Sequence, residues 1–131
     1  MQDLVEEFLK QKRFAIVGSF RHEQKYAYQI LKALKNSGYE VYPVNPRIKE
    51  VEGLICYPNV KDIPIVCDVA DIVTPPVVSV KVVGECKDKG ITRIWLQPGA
   101  ENEWVIEFCK QNNMKVVFNI CVMLERIRRF E

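Results

Sequence analysis

Apolar residues recur along this chain as short, nearly unbroken runs, separated by stretches in which they fall at helical spacing. The run Phe14-Ala15-Ile16-Val17 meets no polar residue before Gly18, the pattern of a strand buried on both faces of a parallel sheet. Residues 24–37 follow, with Tyr28, Ile30, Leu31 and Leu34 near helical spacing and Gly38 as a stop, so a helix is predicted there. A second strand is predicted over 39–46, halted by proline because proline cannot donate to a ladder. Cys67 to Val73 forms the third strand, ending in Thr74-Pro75-Pro76. Proline is tolerated in a first helical turn, so a helix runs from about Pro76 to Lys89 before Gly90. The fourth strand is Arg93 to Gln97, stopped by Pro98-Gly99. A helix beginning at Glu101 or Asn102 carries Trp104, Val105, Phe108 and Cys109, and the fifth strand is Lys115 to Asn119.

Both ends and the middle are less regular. Leu4, Val5, Phe8 and Leu9 predict an amphipathic helix over Asp3 to Lys12 that covers part of the sheet. Val122, Leu124, Ile127 and Phe130 predict a closing helix within 121–131. Between Arg47 and Ile65, Gly53 to Tyr57 reads as a short extended piece, and Asn59 caps one helical turn.

Five strands alternating with helices predict a single α/β domain, a Rossmann-like, doubly wound sheet of five parallel strands. Ligands of such sheets sit beyond the carboxyl ends of the strands. That rule selects Gly18 to Arg21, Val44 to Pro46, Val73 to Pro76 and Gln97 to Ala100. A strand, a glycine turn and a helix N-terminus bring free backbone N–H groups and a positive dipole end to one place, which suits a phosphate.

Composition narrows the class. The 131 residues suffice for one self-supporting core, and no apolar run approaches the roughly 18 residues that span a bilayer. The formal net charge of +2 and the lack of a clustered basic stripe argue against nucleic acid. Neither a leader nor a membrane segment is expected. The five cysteines, Cys56, Cys67, Cys86, Cys109 and Cys121, are odd in number and widely spaced, with only His22 to join them in a metal site. Reduced thiols in a cytoplasm fit this pattern better than disulfides or zinc.

A dinucleotide site of the NAD type asks for three glycines in the first turn and an acid after the second strand. Here the turn is Gly18-Ser19-Phe20-Arg21 and the second strand ends at Asn45. A bulky Phe20 is expected to obstruct a pyrophosphate, and Asn45 removes the acid. In its place stand Arg21, Lys25, Arg47 and Lys49, which suit a nucleotide with several phosphates, such as coenzyme A or NADP.

The residues then resemble the small stand-alone CoA-binding proteins, whose domain also forms the CoA-binding part of the succinyl-CoA synthetase α subunit. The resemblance covers about residues 13–125. It rests on Val17-Gly18 with Arg21 and Lys25, on Gly38 to Pro46, on Gly53 and Tyr57-Pro58, on Trp95-Leu96-Gln97-Pro98-Gly99, and on Cys121 with Glu125. It implies that Gly18, Ser19 and Arg21, with the neighbouring Phe20 of the same turn, hold the CoA phosphates. It places the adenosine at Val44, Asn45 and Pro46, helped by Lys25 and Arg47. Val73, Thr74, Pro75 and Pro76 would border the nucleotide or the pantetheine arm, with Gln97 and Gly99 further along. Phe20 and Ala27 depart from the family's usual serine and glycine.

No catalytic set is evident. The one histidine sits in the phosphate turn, and Glu101 and Glu103 lie where a helix dipole favours acids. Cys121, between a strand and a helix start, is the candidate reactive thiol. Trp95 and Trp104 are expected in the core or an interface. The reading is a non-catalytic module for CoA or acyl-CoA, regulatory or carrier in role, with an NADP-using enzyme or redox sensor as the alternative. Apolar residues in both terminal helices allow a homodimer.

Overall fold

A computed structural model describes residues 1–130; Glu131 and the side chain of Phe130, both in the expected closing helix, lie outside the described residues. The first strand, β1 (Arg13–Gly18), is buried along nearly its whole length. It lies between β2 (Glu40–Val44) and β5 (Val69–Val73), followed by β6 (Arg93–Leu96) and β7 (Lys115–Phe118), all in parallel register in the order β2-β1-β5-β6-β7. This is the α/β, Rossmann-like single domain that the alternation of strands and helices predicts.

Because side chains alternate across a strand, the central strands feed two separate cores. Ala15, Val17, Ala70, Ile72, Ile94 and Leu96 face α3 (Pro76–Lys89) and α4 (Glu103–Gln111). Phe14, Ile16, Val69, Trp95 and Val117 face α1 (Gln2–Leu9), α2 (Tyr26–Asn36) and α5 (Val122–Phe130). Trp95 is fully buried and donates its indole N–H to the Ile120 carbonyl at 2.8 Å. Trp104, by contrast, is exposed on α4 and stacks on Phe108 with centroids 5.2 Å apart.

Local chemistry sets the ends of the elements. α1 stops before Lys12 because the amides of Lys12 and Arg13 turn to the Asp68 carboxylate at 3.2 and 2.9 Å. Asn102 is the cap of α4, accepting from the Val105 amide at 2.9 Å. α3 closes on Gly90 in the left-handed region. β7 ends one residue early because Asn119 is left-handed. The expected single turn after Asn59 is present as a 3-10 turn, Val60–Asp62, with Asn59 accepting from the Lys61 amide.

The irregular middle contains a hairpin that the pattern of residues does not reveal. β3 (Glu50–Val51) pairs antiparallel with β4 (Leu54–Ile55) across Glu52 and Gly53. Both turn residues have positive φ, 52° and 74°, as a type I′ turn requires. Beyond it Tyr57 bonds to β2, donating to the Pro43 carbonyl at 3.0 Å and accepting from the Asn45 amide at 2.9 Å. The outer edge of β2 is thereby covered at its carboxyl end. No described helix is long and apolar enough to cross a membrane.

Two glycines give contrasting predictions. A Cβ on Gly18 would lie 2.6 Å from the Ala27 Cβ and 2.9 Å from the Val73 carbonyl oxygen. Gly18→Ala should therefore cost about 1–3 kcal/mol in urea unfolding. Gly84, inside α3, has nothing within 4 Å of an added Cβ, and Gly84→Ala should stabilise by about 0.5–1 kcal/mol. Equal effects at the two positions would contradict the close approach at Gly18.

Candidate functional site

The carboxyl ends of β1, β2 and β5 open into a cleft of about 380 Å³. Gly18 and Ser19 line it from β1, Val44 to Arg47 from β2, and Val73 to Pro75 from β5. A second hollow of about 430 Å³ shares Val73, Thr74 and Pro75 and adds Pro76 and Gly99. The two make one continuous path across the strand ends. Eleven of the residues singled out from the sequence thus meet along it.

The others are placed differently. Phe20 is buried in the core beneath α2. It does not stand over the turn, which corrects the expectation that its ring would obstruct a pyrophosphate. Arg21 is exposed on the turn, and Lys25 occupies the N-cap position of α2. Gln97 is fully buried, and Cys121 is half-buried behind it.

Sequence reasoning missed the far wall of the cleft, formed by Pro58, Asn59, Val78, Lys81, Val82 and Glu85. Asn59 donates to the Glu85 carboxylate at 2.6 Å, fixing the 3-10 turn against α3. The available signal was the spacing of 78, 81, 82 and 85, one face of a helix that follows a strand end.

The turn after β1 is held by Asn45, whose amide donates to the Gly18 carbonyl at 2.7 Å while its Oδ1 accepts from the Arg47 amide at 2.8 Å. An acid here could not donate that first bond. Beyond the turn, α2 begins with no side-chain cap. The Lys25 amide bonds to His22 and the Gln29 amide to Lys25, which leaves the amides of Tyr26, Ala27 and Tyr28 without a backbone acceptor. α3 differs. It opens on Pro75-Pro76, and the Pro75 carbonyl already takes the amides of Val78 and Ser79. The open positive helix end at this rim is therefore that of α2. The Ser19 hydroxyl is buried in the same turn without a partner. None of Arg21, Lys25 and Arg47 takes part in the ion pairs among the described residues.

Under the rim, on the α2 and α5 side, lies a chain of polar side chains. Gln97 Nε2 donates to Asp71 Oδ1 at 2.6 Å. Gln97 Oε1 accepts from the Val122 amide at 3.1 Å and from the Tyr26 hydroxyl at 3.3 Å. That hydroxyl lies 2.6 Å from Cys121 Sγ. Burial pushes the Asp71 carboxyl up to about 8, although the Gln97 bond opposes the shift. Burial and the bond to Cys121 raise Tyr26 as well. Burial likewise raises the thiols of Cys67, Cys86 and Cys109.

The profile of a family described as CoA binding domain matches residues 12–127. The ADP-forming acetate–CoA ligase of Methanocaldococcus jannaschii is 41% identical over 80 residues, 61% of this chain and 11% of that protein. Subunit alpha of ADP-forming acetate–CoA ligase II from Pyrococcus furiosus is 28% identical over 130 residues, 91% of this chain and 28% of that one. The chain therefore spans less than a third of either ligase protein. Among solved structures, a hypothetical protein from Pyrococcus horikoshii superposes with TM-score 0.94 at 32% identity, covering 99% of this chain and 92% of its own. A conserved hypothetical protein from Pyrococcus furiosus gives 0.84 at 39% identity, covering 87% and 98%. The chain belongs to the CoA-binding domain family, the one its sequence resembles.

The buried carboxyl gives a prediction for stability. An unfolded Asp71 has the ordinary carboxyl value of 3.8, and burial in the fold raises it to about 8. Between those values the folded chain keeps a proton that the unfolded chain has released, so stability falls as pH rises, by up to about 1.4 kcal/mol per unit. The loss is complete above the folded value. Urea unfolding between pH 5 and pH 9 should show this slope in the native protein and a flatter one in Asp71→Asn, and parallel slopes would show that the carboxyl is already ionised when folded.

Proposed function

We propose that this member of the CoA-binding domain family holds coenzyme A, free or acylated, across the carboxyl ends of β1, β2, β5 and β6, without transforming it. The observation that carries this reading is the anion seat at α2. Three free amides, the unpartnered Ser19 hydroxyl and the unpaired cations Arg21, Lys25 and Arg47 surround one strand end. Such a seat suits a diphosphate.

The adenosine is assigned to the cleft at the ends of β1, β2 and β5. Val44, Val78 and Val82 supply apolar walls, and Arg47 at the mouth meets a ribose phosphate. The pantetheine arm follows Thr74, Pro75 and Pro76 toward Gly99. Gln97 acts from beneath, its side chain committed to Asp71, Tyr26 and Val122. A carrier or regulatory role fits a cleft in which, among the described residues, no nucleophile, base and orienting acid are gathered. A CoA-binding domain that shares its family with parts of acetate–CoA ligases suits delivery or sensing of the thioester.

Denaturing the purified protein and reading the released small molecules by mass spectrometry tests the assignment. A CoA species is expected; a nicotinamide dinucleotide would favour NADP in the same cleft and overturn it. Calorimetric titration with CoA supplies the residue test. Arg47→Glu and Arg21→Glu should each weaken binding about tenfold, the scale of one charge-assisted phosphate contact, with the unfolding midpoint unchanged. Native affinity in both variants would remove the placement of the phosphates.

A further inference from the structure

The chain of side chains beneath the rim reaches the anion seat itself, because Tyr26 is the first residue of α2. Asp71 anchors the other end. It is fully buried, one carboxylate oxygen accepts from Gln97, and the other has no hydrogen-bond partner. Buried polar atoms nearly always have partners, so this orphan oxygen calls for a physical account. In the sheet it sits opposite Ile16 of β1 and Trp95 of β6. It is two residues below the ends of β1 and β5, about 7 Å at the rise of a strand.

The groups that reach Asp71 or its hydrogen-bond chain come from every element packed there. Ile16 and Trp95 are apolar, and Gln97 is neutral. Tyr26 from α2 and Cys121 before α5 are the two other ionisable side chains on it. Glu125, one turn further along α5, is engaged by Arg128 and Arg129. Asp71 is in none of the ion pairs among the described residues, and a charge on it would be felt at short range through a low-dielectric medium.

We propose that Asp71 is a proton-linked positioning residue for the anion seat: neutral, it leaves the positive end of α2 intact above Gln97 and Tyr26, and ionised, it opposes a polyanion bound there. The inference rests on the CoA reading and adds regulation to it. Binding of the polyanion then favours the protonated acid, so a proton is taken up with the ligand and affinity falls as the solution becomes alkaline. That burial already moves Asp71 to about 8 places this linkage near neutrality. The seat would hold its ligand more tightly in a slightly acidic medium than in an alkaline one.

The experiment titrates CoA into the folded protein by calorimetry at pH 7, 8 and 9, in two buffers of different ionisation enthalpy. A His22→Gln background keeps the exposed imidazole on the turn from supplying the signal. The expected result is uptake of roughly half a proton near pH 8, the midpoint of the buried acid, and about three- to tenfold weaker binding at pH 9 than at pH 7. Asp71→Asn in the same background should bind with no uptake and a flat profile. Gln97 can still donate to the new amide oxygen, so this variant keeps the anchor and removes only the charge. If the variant does not fold, the uptake measured in the His22→Gln protein decides: saturable binding without uptake overturns the inference and leaves the CoA reading standing. Absence of saturation already at pH 7 overturns the CoA reading, and the inference with it.

Discussion

The turn after β1 has room for no side chain at Gly18. An added Cβ there would press on Ala27 at the start of α2 and on the carbonyl of Val73 at the end of β5. Strand, helix and neighbouring strand are therefore in contact at one point, and the rest of the rim is built outward from it. The close approach brings the open amides of α2 to the mouth of the sheet. It also explains the alanine at position 27, since its small side chain meets the backbone that a larger one would displace.

Two bonds hold that point from the sides. The Asn45 amide takes the Gly18 carbonyl, joining the end of β2 to the turn of β1. The Asn45 backbone is in turn held by Tyr57, past the β3–β4 hairpin. A neutral amide does what an acid could not, because it both donates to one backbone and accepts from the other. The asparagine that stands where an NAD-type site would want an acid is thus a structural gain.

Below the rim, burial and polarity are balanced differently on the two faces of the sheet. The core on the α3 and α4 side is mainly apolar and opens as the cleft. The α2 and α5 side buries Asp71, Gln97 and Tyr26 in one hydrogen-bonded chain ending at Cys121. Gln97 ties the end of β6 to both helices: its carbonyl accepts from Tyr26 and Val122 while its amide reaches Asp71. Its burial moves it from the wall of the cleft to the support beneath it.

Strand identity, sheet type and the rim could be read from residue order alone. Runs such as Phe14 to Val17, stops such as Pro98-Gly99, and a single glycine with flanking cations report on local backbone and charge, which are properties of neighbours in the chain. The hairpin at Glu52-Gly53 could not be read that way, because a two-residue strand has too few positions to show a period. Nor could the wall made by Asn59, Lys81 and Glu85, or the inward turn of Phe20 and Gln97. Those depend on which residues distant in sequence lie side by side, and only packing of the two cores against one sheet decides that.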